Sequence, residues 1–323
     1  GALAAGCAHL VRDHRHTLMV GRTLLQPALP ITFGLKAAGW LVGAREARHN
    51  LASSRGRLAV QLGGAAGTLA SLGPDGPAVV AAFADHLGLA EPVLPWHTAR
   101  QRVAELAGAL AVAAGTAAKI SSDVALLMQA EVGEAAEPAA AGRGGSSTLP
   151  HKRNPVGAAA VGAATRRVHA LVPVLFGAMA AEHERGVGGW QAEWETLTEA
   201  LALTGGAVGR TAETVDGLEV HGETMGANLE ATGGVLVAER IALALARRMD
   251  RAAASTAVGE AARAAVATGR SFAEALAEHP VVGGALSADE LAELLDPAGY
   301  LGATGSWIER ALSGGGPKEG GGG

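Results

Sequence analysis

The sequence predicts an all-α protein, a bundle of long helices followed by a small helical domain. Hydrophobic residues make up 49% of its 323 positions and aromatics only 3%. A core built from Ala, Leu and Val suits closely packed helices better than an aromatic-rich β-sandwich. Apolar residues recur three, four or seven apart over stretches far longer than a strand. No convincing run of strict apolar–polar alternation competes with that pattern.

The first long stretch runs from 102 to 131, with apolar residues at Val103, Leu106, Leu110, Ile120, Val124, Leu127 and Met128. A second, from 156 to 184, carries Val161, Val168, Leu171, Leu175 and Met179, and Pro173 is expected to kink it. A third begins near Trp190 and continues to about Val215. Beyond Gly217 the helices shorten. Ser287-Ala288-Asp289-Glu290 and Ser306-Trp307-Ile308-Glu309 both fit the capping box, a hydroxyl followed three residues later by a carboxylate. A boundary is therefore placed near His221. Residues 1–221 form the expected central domain, 222–313 a small helical C-terminal domain, and the glycine-rich 314–323 an expected disordered tail.

Composition excludes several classes. With 26 Lys and Arg against 31 Asp and Glu the formal charge is −5, so no basic balance calls for nucleic acid or a membrane surface. Cys7 is the one cysteine, which excludes an intrachain disulfide and makes a reducing, cytoplasmic setting the default. The longest uncharged run, 58 to 74, is too short and too polar to span a bilayer. No secretory signal pattern opens the chain, which starts without Met inside a helical pattern and reads as a fragment.

The strongest motif is Gly144-Gly145-Ser146-Ser147-Thr148-Leu149-Pro150-His151-Lys152-Arg153-Asn154-Pro155, between two long helical stretches. Its glycines allow close substrate approach, its two serines supply proton chemistry, and Lys152 with Asn154 can hold a carboxylate. The plain alternative is an interhelical loop ending in a helix-starting proline. Weaker signals read as structural. His14 and His16 are two apart, which a helix points to different faces, so no metal site is expected. Gly63-Gly64-Ala65-Ala66-Gly67 lacks the strand a dinucleotide fingerprint requires and reads as close helix packing. His97 reads as packing or capping, and Trp190 with Trp194, four apart, as core.

The segment GSSTLPHKRNP resembles the signature loop of the fumarase/aspartase superfamily, with Leu149 in place of the usual Met. Gly21-Arg22-Thr23-Leu24-Leu25-Gln26-Pro27 sits where that superfamily carries its threonine–histidine motif. Leu94-Pro95-Trp96-His97-Thr98 and Gly188-Gly189-Trp190-Gln191-Ala192-Glu193-Trp194 are similar to the branch that cycloisomerises 3-carboxy-cis,cis-muconate. So are Asn228-Leu229, Thr232-Gly233-Gly234, Leu295-Asp296-Pro297 and Tyr300-Leu301-Gly302. The resemblance covers about residues 1 to 312.

The resemblance implies Ser146 as the catalytic group that moves a proton at the carbon next to a carboxylate. It implies substrate contacts from Arg22, Thr23, Gln26, Ser147, Lys152, Asn154 and Arg185, with no metal and no organic cofactor. It also implies a small polycarboxylate substrate and a homotetramer whose active sites are shared between subunits. Two departures stand out. Family subunits carry a further N-terminal domain that this chain does not show. Leu24 replaces the histidine that acts as, or supports, a general acid in many of these lyases, and leucine transfers no proton. The expected activity is therefore the interconversion of 3-carboxy-cis,cis-muconate and 4-carboxymuconolactone, an isomerase reaction of aromatic catabolism. The rivals are β-elimination of a substituted succinate to fumarate, and a non-catalytic oligomer built on the same bundle.

Overall fold

The structure is a computed structural model that describes residues 1–139, 144–145, 148–149 and 152–314. The expected tail beyond Gly314 and the residues Ser146, Ser147 and His151 lie outside the described residues. The chain divides into two compact units. The first comprises residues 1–6, 40–126 and 137–218, the second 7–39, 127–136 and 219–323.

In chain order the elements are α1 (Ala2–Asp13), β1 (Leu18–Thr23), β2 (Gln26–Thr32), α2 (Phe33–Gly56), α3 (Gly76–Leu87), α4 (Gln101–Leu127) and β3 (Ala135–Ala136). There follow α5 (Val156–Gly177), α6 (Gly189–Asp216), β4 (Glu219–Val220), α7 (Gly222–Glu230), α8 (Ala238–Leu245) and α9 (Arg251–Thr268). The last are α10 (Phe272–Glu278), α11 (Pro280–Ala285), α12 (Ala288–Leu295) and α13 (Thr304–Ser313). The three long stretches of the sequence are α4, α5 and α6, and the all-α class holds.

The first unit is organised by these three helices. On α4, Ala107, Ala114, Ala117, Ile120 and Val124 are essentially inaccessible, at the expected spacing of one helical face. Ala117, Val161 and Ala207 meet in one cluster, and Val103 and Ala107 pack on Leu175 with Val172 and Leu197 at the margin. Small side chains let the backbones approach, and hydroxyls then bridge them: Thr165 Oγ1 donates to the Ala114 carbonyl at 3.1 Å. Ser121 and Thr211 hydroxyls lie 3.2 Å apart. Pro173 sits inside α5. Among the described residues, α4 is the one helix long and apolar enough to cross a membrane. Half of its apolar window is buried inside the protein, as in a bundle-core helix.

The second unit contains a β-hairpin that the sequence reading did not anticipate. Strands β1 and β2 pair antiparallel from Leu18↔Thr32 to Thr23↔Gln26, with an irregularity at Gly21/Arg22. Val20 packs against Leu229 and Leu236. Its main core gathers α8 to α12 around Ile241, Leu245, Phe272, Leu276 and Val282, all 1% exposed or less. The capping box at Ser287–Glu290 forms as expected. The one expected at Ser306 does not, because α13 already starts at Thr304 and places Ser306 inside the helix. A further box, Ser271–Glu274, starts α10.

Candidate active site

The Arg22–Gln26 motif forms the tip of the hairpin. Leu24 and Leu25 make the two-residue turn with φ of 49° and 65°, both left-handed. Turns of this kind match the strand twist but favour Asn-Gly, because a left-handed backbone costs about 1–2 kcal/mol per side-chain-bearing residue. The strained tip is also apolar and bare: Leu24 is 97% exposed and Leu25 71%. Thr23 and Gln26, which flank it, are exposed strand ends, and neither caps a helix.

Arg22 takes part in an ion pair that the sequence did not show. Its guanidinium donates to both carboxylate oxygens of Glu134, at 2.8 and 2.7 Å. Glu134 is fully buried and also accepts from Asn228 Nδ2 at 2.9 Å. A buried carboxylate needs such a partner, so Arg22 serves a structural pair, while its side chain stays 25% exposed. The motif position of Arg22 was visible in sequence; its partner, 112 residues away, was not.

In the signature segment, Gly144 has φ of +70°, and a Cβ there would lie 2.8 Å from the Asn154 carbonyl oxygen. Only glycine fits. The Gly144 carbonyl accepts from the Asn154 backbone N–H at 2.8 Å and from Asn154 Nδ2 at 3.1 Å. Asn154 thus ties Gly144 to the residues before α5. Lys152 is exposed, and its N–H donates to Leu149 O at 3.0 Å. Arg153 Nη2 donates to the Glu137 carbonyl at 2.6 Å. The Glu137 carboxylate accepts from Gly157 N at 2.9 Å and Ala158 N at 2.7 Å, the second and third residues of α5.

Arg185 lies at a cleft of about 270 Å³ lined by Gln61, Gly63, Leu94, His97 and Thr98. Its Nε donates to Ala65 O at 3.0 Å, its Nη2 to Gly64 O, and its Nη1 lies 3.5 Å from His97 Nδ1. The Gly63–Gly67 stretch is therefore a loop held by a guanidinium, not the helix-packing surface expected of it. Since Arg185 can only donate, His97 Nδ1 accepts and Nε2 carries the proton. Burial first, then the cations of Arg185 and Arg100, hold the His97 imidazole below its ordinary range. Its ring stands edge-on to Trp190, 4.6 Å between centroids. Trp190 in turn meets Trp194 edge-on at 5.2 Å, but Trp194 is 57% exposed, so the pair is no core element. Beneath this cleft wall, buried Glu193 pairs with buried Arg100, Nε to Oε1 at 2.9 Å.

Lys152, Asn154 and Arg185 lie in the first unit; Arg22, Thr23 and Gln26 lie in the second. Sequence reasoning missed Glu134, Glu137, Arg100 and Glu193. The one available signal was that Glu134 and Glu137 stand among small Ala and Gly residues, where a carboxylate stands out. Among the described residues no group of three or more metal-ligating side chains converges. The described groups can hold a carboxylate through Lys152 and frame a polar cleft around Arg185 and His97.

Comparison with known proteins agrees with this architecture. The lyase family matches residues 2–170, and the adenylosuccinate lyase C-terminus matches 234–311. The chain is 49% identical over 312 residues to a 3-carboxy-cis,cis-muconate cycloisomerase of Pseudomonas aeruginosa, covering 96% of this chain and 68% of that one. It is 46% identical over 319 residues to a nitrosuccinate lyase of Streptomyces davaonensis, covering 96% and 67%. The crystal structure of the 3-carboxy-cis,cis-muconate lactonizing enzyme of Pseudomonas putida superposes with a TM-score of 0.90 at 43% identity, covering 97% of this chain and 70% of that one. A family match over half of the chain, with relatives this similar across nearly all of it, establishes that the chain belongs to the lyase family of the fumarase/aspartase superfamily.

Proposed function

We propose that the protein is an isomerase interconverting 3-carboxy-cis,cis-muconate and 4-carboxymuconolactone. The observation that carries this reading is the 49% identity to a cycloisomerase over 96% of the chain. In lactonisation a substrate carboxylate oxygen adds across a conjugated double bond, and a proton arrives at the carbon alpha to another carboxylate. Charge develops on that second carboxylate as an aci-dianion, which calls for cations and N–H donors aimed at it. Ser146 delivers the proton, and removes it in the reverse direction. A free serine is too weak a base at neutral pH, so its alkoxide needs neighbouring N–H groups and the charge of Lys152. Arg22, Thr23, Gln26, Ser147, Lys152, Asn154 and Arg185 are proposed to contact the polyanionic substrate, Arg22 while also pairing with Glu134. No metal or organic cofactor enters the scheme.

Leu24 fits this chemistry, because a lactone oxygen leaves as a stable carboxylate and needs no acid. The same argument favours one rival. Nitrite also departs as a stable anion, and the 46% identity to a nitrosuccinate lyase makes elimination from nitrosuccinate the second reading. Assembly as a homotetramer with shared sites, a cytoplasmic setting, and a separate C-terminal domain at 222–313 complete the proposal. The test is kcat/KM of the full-length protein on 3-carboxy-cis,cis-muconate, nitrosuccinate, adenylosuccinate and argininosuccinate. Efficient turnover of the muconate is expected. Turnover of nitrosuccinate alone would replace the first reading by the second. Ser146→Ala should lower turnover at least about 100-fold with assembly intact, and wild-type turnover in that variant would remove the proton-transfer scheme.

A further inference from the structure

The geometry assigns to Glu137 the role of a positioning residue for the signature segment, an inference that rests on the reading of that segment as the catalytic one. Glu137 is 9% exposed and lies on the chain leading into the segment, whereas Gly157 and Ala158 lie in the first turn of the helix after it. Its two carboxylate oxygens each take one N–H of the first turn of α5, at 2.9 and 2.7 Å. Those N–H groups have no partner within the helix, and the helix N-terminus favours negative charge. Pro155 is the N-cap residue and makes no side-chain cap, so the carboxylate arrives from 20 residues upstream to do what a local Ser or Asp does elsewhere.

A second contact makes the arrangement more than a cap. The Glu137 carbonyl accepts from Arg153, beside Lys152 and Asn154. One residue therefore grips the returning chain twice, at 153 through its backbone and at 157–158 through its side chain. Asn154 adds a third tie to Gly144. Lys152 directly precedes Arg153, the first residue that this clamp holds. The absence of a side chain at Gly157 is part of the design: a Cβ there would lie 3.0 Å from both carboxylate oxygens.

The test uses the full-length protein and three variants, Glu137→Ala, Glu137→Gln and Gly157→Ala. Glu137→Ala should lower kcat about 10- to 100-fold, the scale of a misplaced reacting group, with a smaller change in KM. Glu137→Gln, which keeps one acceptor oxygen, should fall between it and wild type. Gly157→Ala should also lower kcat, with a smaller loss of Tm than Glu137→Ala, because alanine is the better helix former and offsets part of the cost of displacing the carboxylate. A merely structural Glu137 would lower Tm and leave kcat per folded site intact. Hydrogen exchange of peptides covering 144–158 supplies a readout independent of substrate, and should quicken in Glu137→Ala and Gly157→Ala but not around Arg100 and Glu193. Should Glu137→Ala fail to fold, Gly157→Ala decides. Wild-type kcat or, if the substrate is another, wild-type exchange in the folded variants overturns the assignment.

Discussion

Glu193 shows that a segment recognised by resemblance can carry a buried structural pair. It stands in the Gly188–Trp194 segment that resembles the cycloisomerase branch, yet its carboxylate is buried and bidentate to Arg100 rather than open to the cleft. Removing one partner of a buried pair leaves the other charge stranded, at about 3–5 kcal/mol. Glu193→Ala should therefore lower the unfolding free energy measured by urea titration by that amount, and a loss under about 1 kcal/mol would mean that water reaches Arg100. His97 carries a pH signature. Its imidazole is held below the ordinary 6.5, so the unfolded chain binds the proton more readily than the fold does. Its contribution to stability is complete above pH 6.5 and declines as pH falls through the lowered folded value. Thermal melts from pH 7.5 down to 5 should show wild type losing more than His97→Gln, and equal slopes would refute the assignment. These pairings were not legible from sequence. Arg100, Glu134 and Glu137 find partners 20 to 112 residues away, and local spacing carries no record of them.

At the scale of elements, periodicity worked where burial is one-sided and long. α4, α5 and α6 were each recognisable because a 3.6-residue stripe faces neighbours over many turns. The hairpin escaped because its strands do not alternate: Pro27 and Pro30 interrupt β2, and the turn uses Leu-Leu where Asn-Gly is usual. That choice has a cost with no structural return, since both side chains are exposed. Strain kept in a bare tip points to function. Leu25→Gly should relieve the left-handed backbone and raise stability by about 1 kcal/mol, while kcat/KM falls because the tip no longer holds Thr23 and Gln26 as firmly. Denaturant titration and kinetics on the same preparation check both halves. A drop in stability would show that the Leu25 side chain is covered in solution.

At the scale of the molecule, the long helices leave large apolar side chains on their outer faces: Val112 on α4, Val174 and Phe176 on α5, Trp194 and Leu201 on α6, each 40–57% exposed. Isolated apolar residues at a surface are ordinary, but their recurrence on three adjacent helices of one bundle is what a helical self-association face requires. If subunits do associate there, and if the proposed site draws Ser146 and Arg185 from different subunits, a defect in one copy can be supplied by its neighbour. Ser146→Ala and Arg185→Ala should each be nearly inactive alone. Unfolded together and refolded as a mixture, they should regain activity, because some sites then take an intact Ser146 from one variant and an intact Arg185 from the other. Refolded apart and then pooled, they should stay inactive unless subunits exchange. Activity measured beside the mass of the assembly distinguishes the outcomes. An active mixture of oligomers supports shared sites, whereas a fully assembled but inactive mixture means that both residues serve the same subunit's site and that each site is built within one chain.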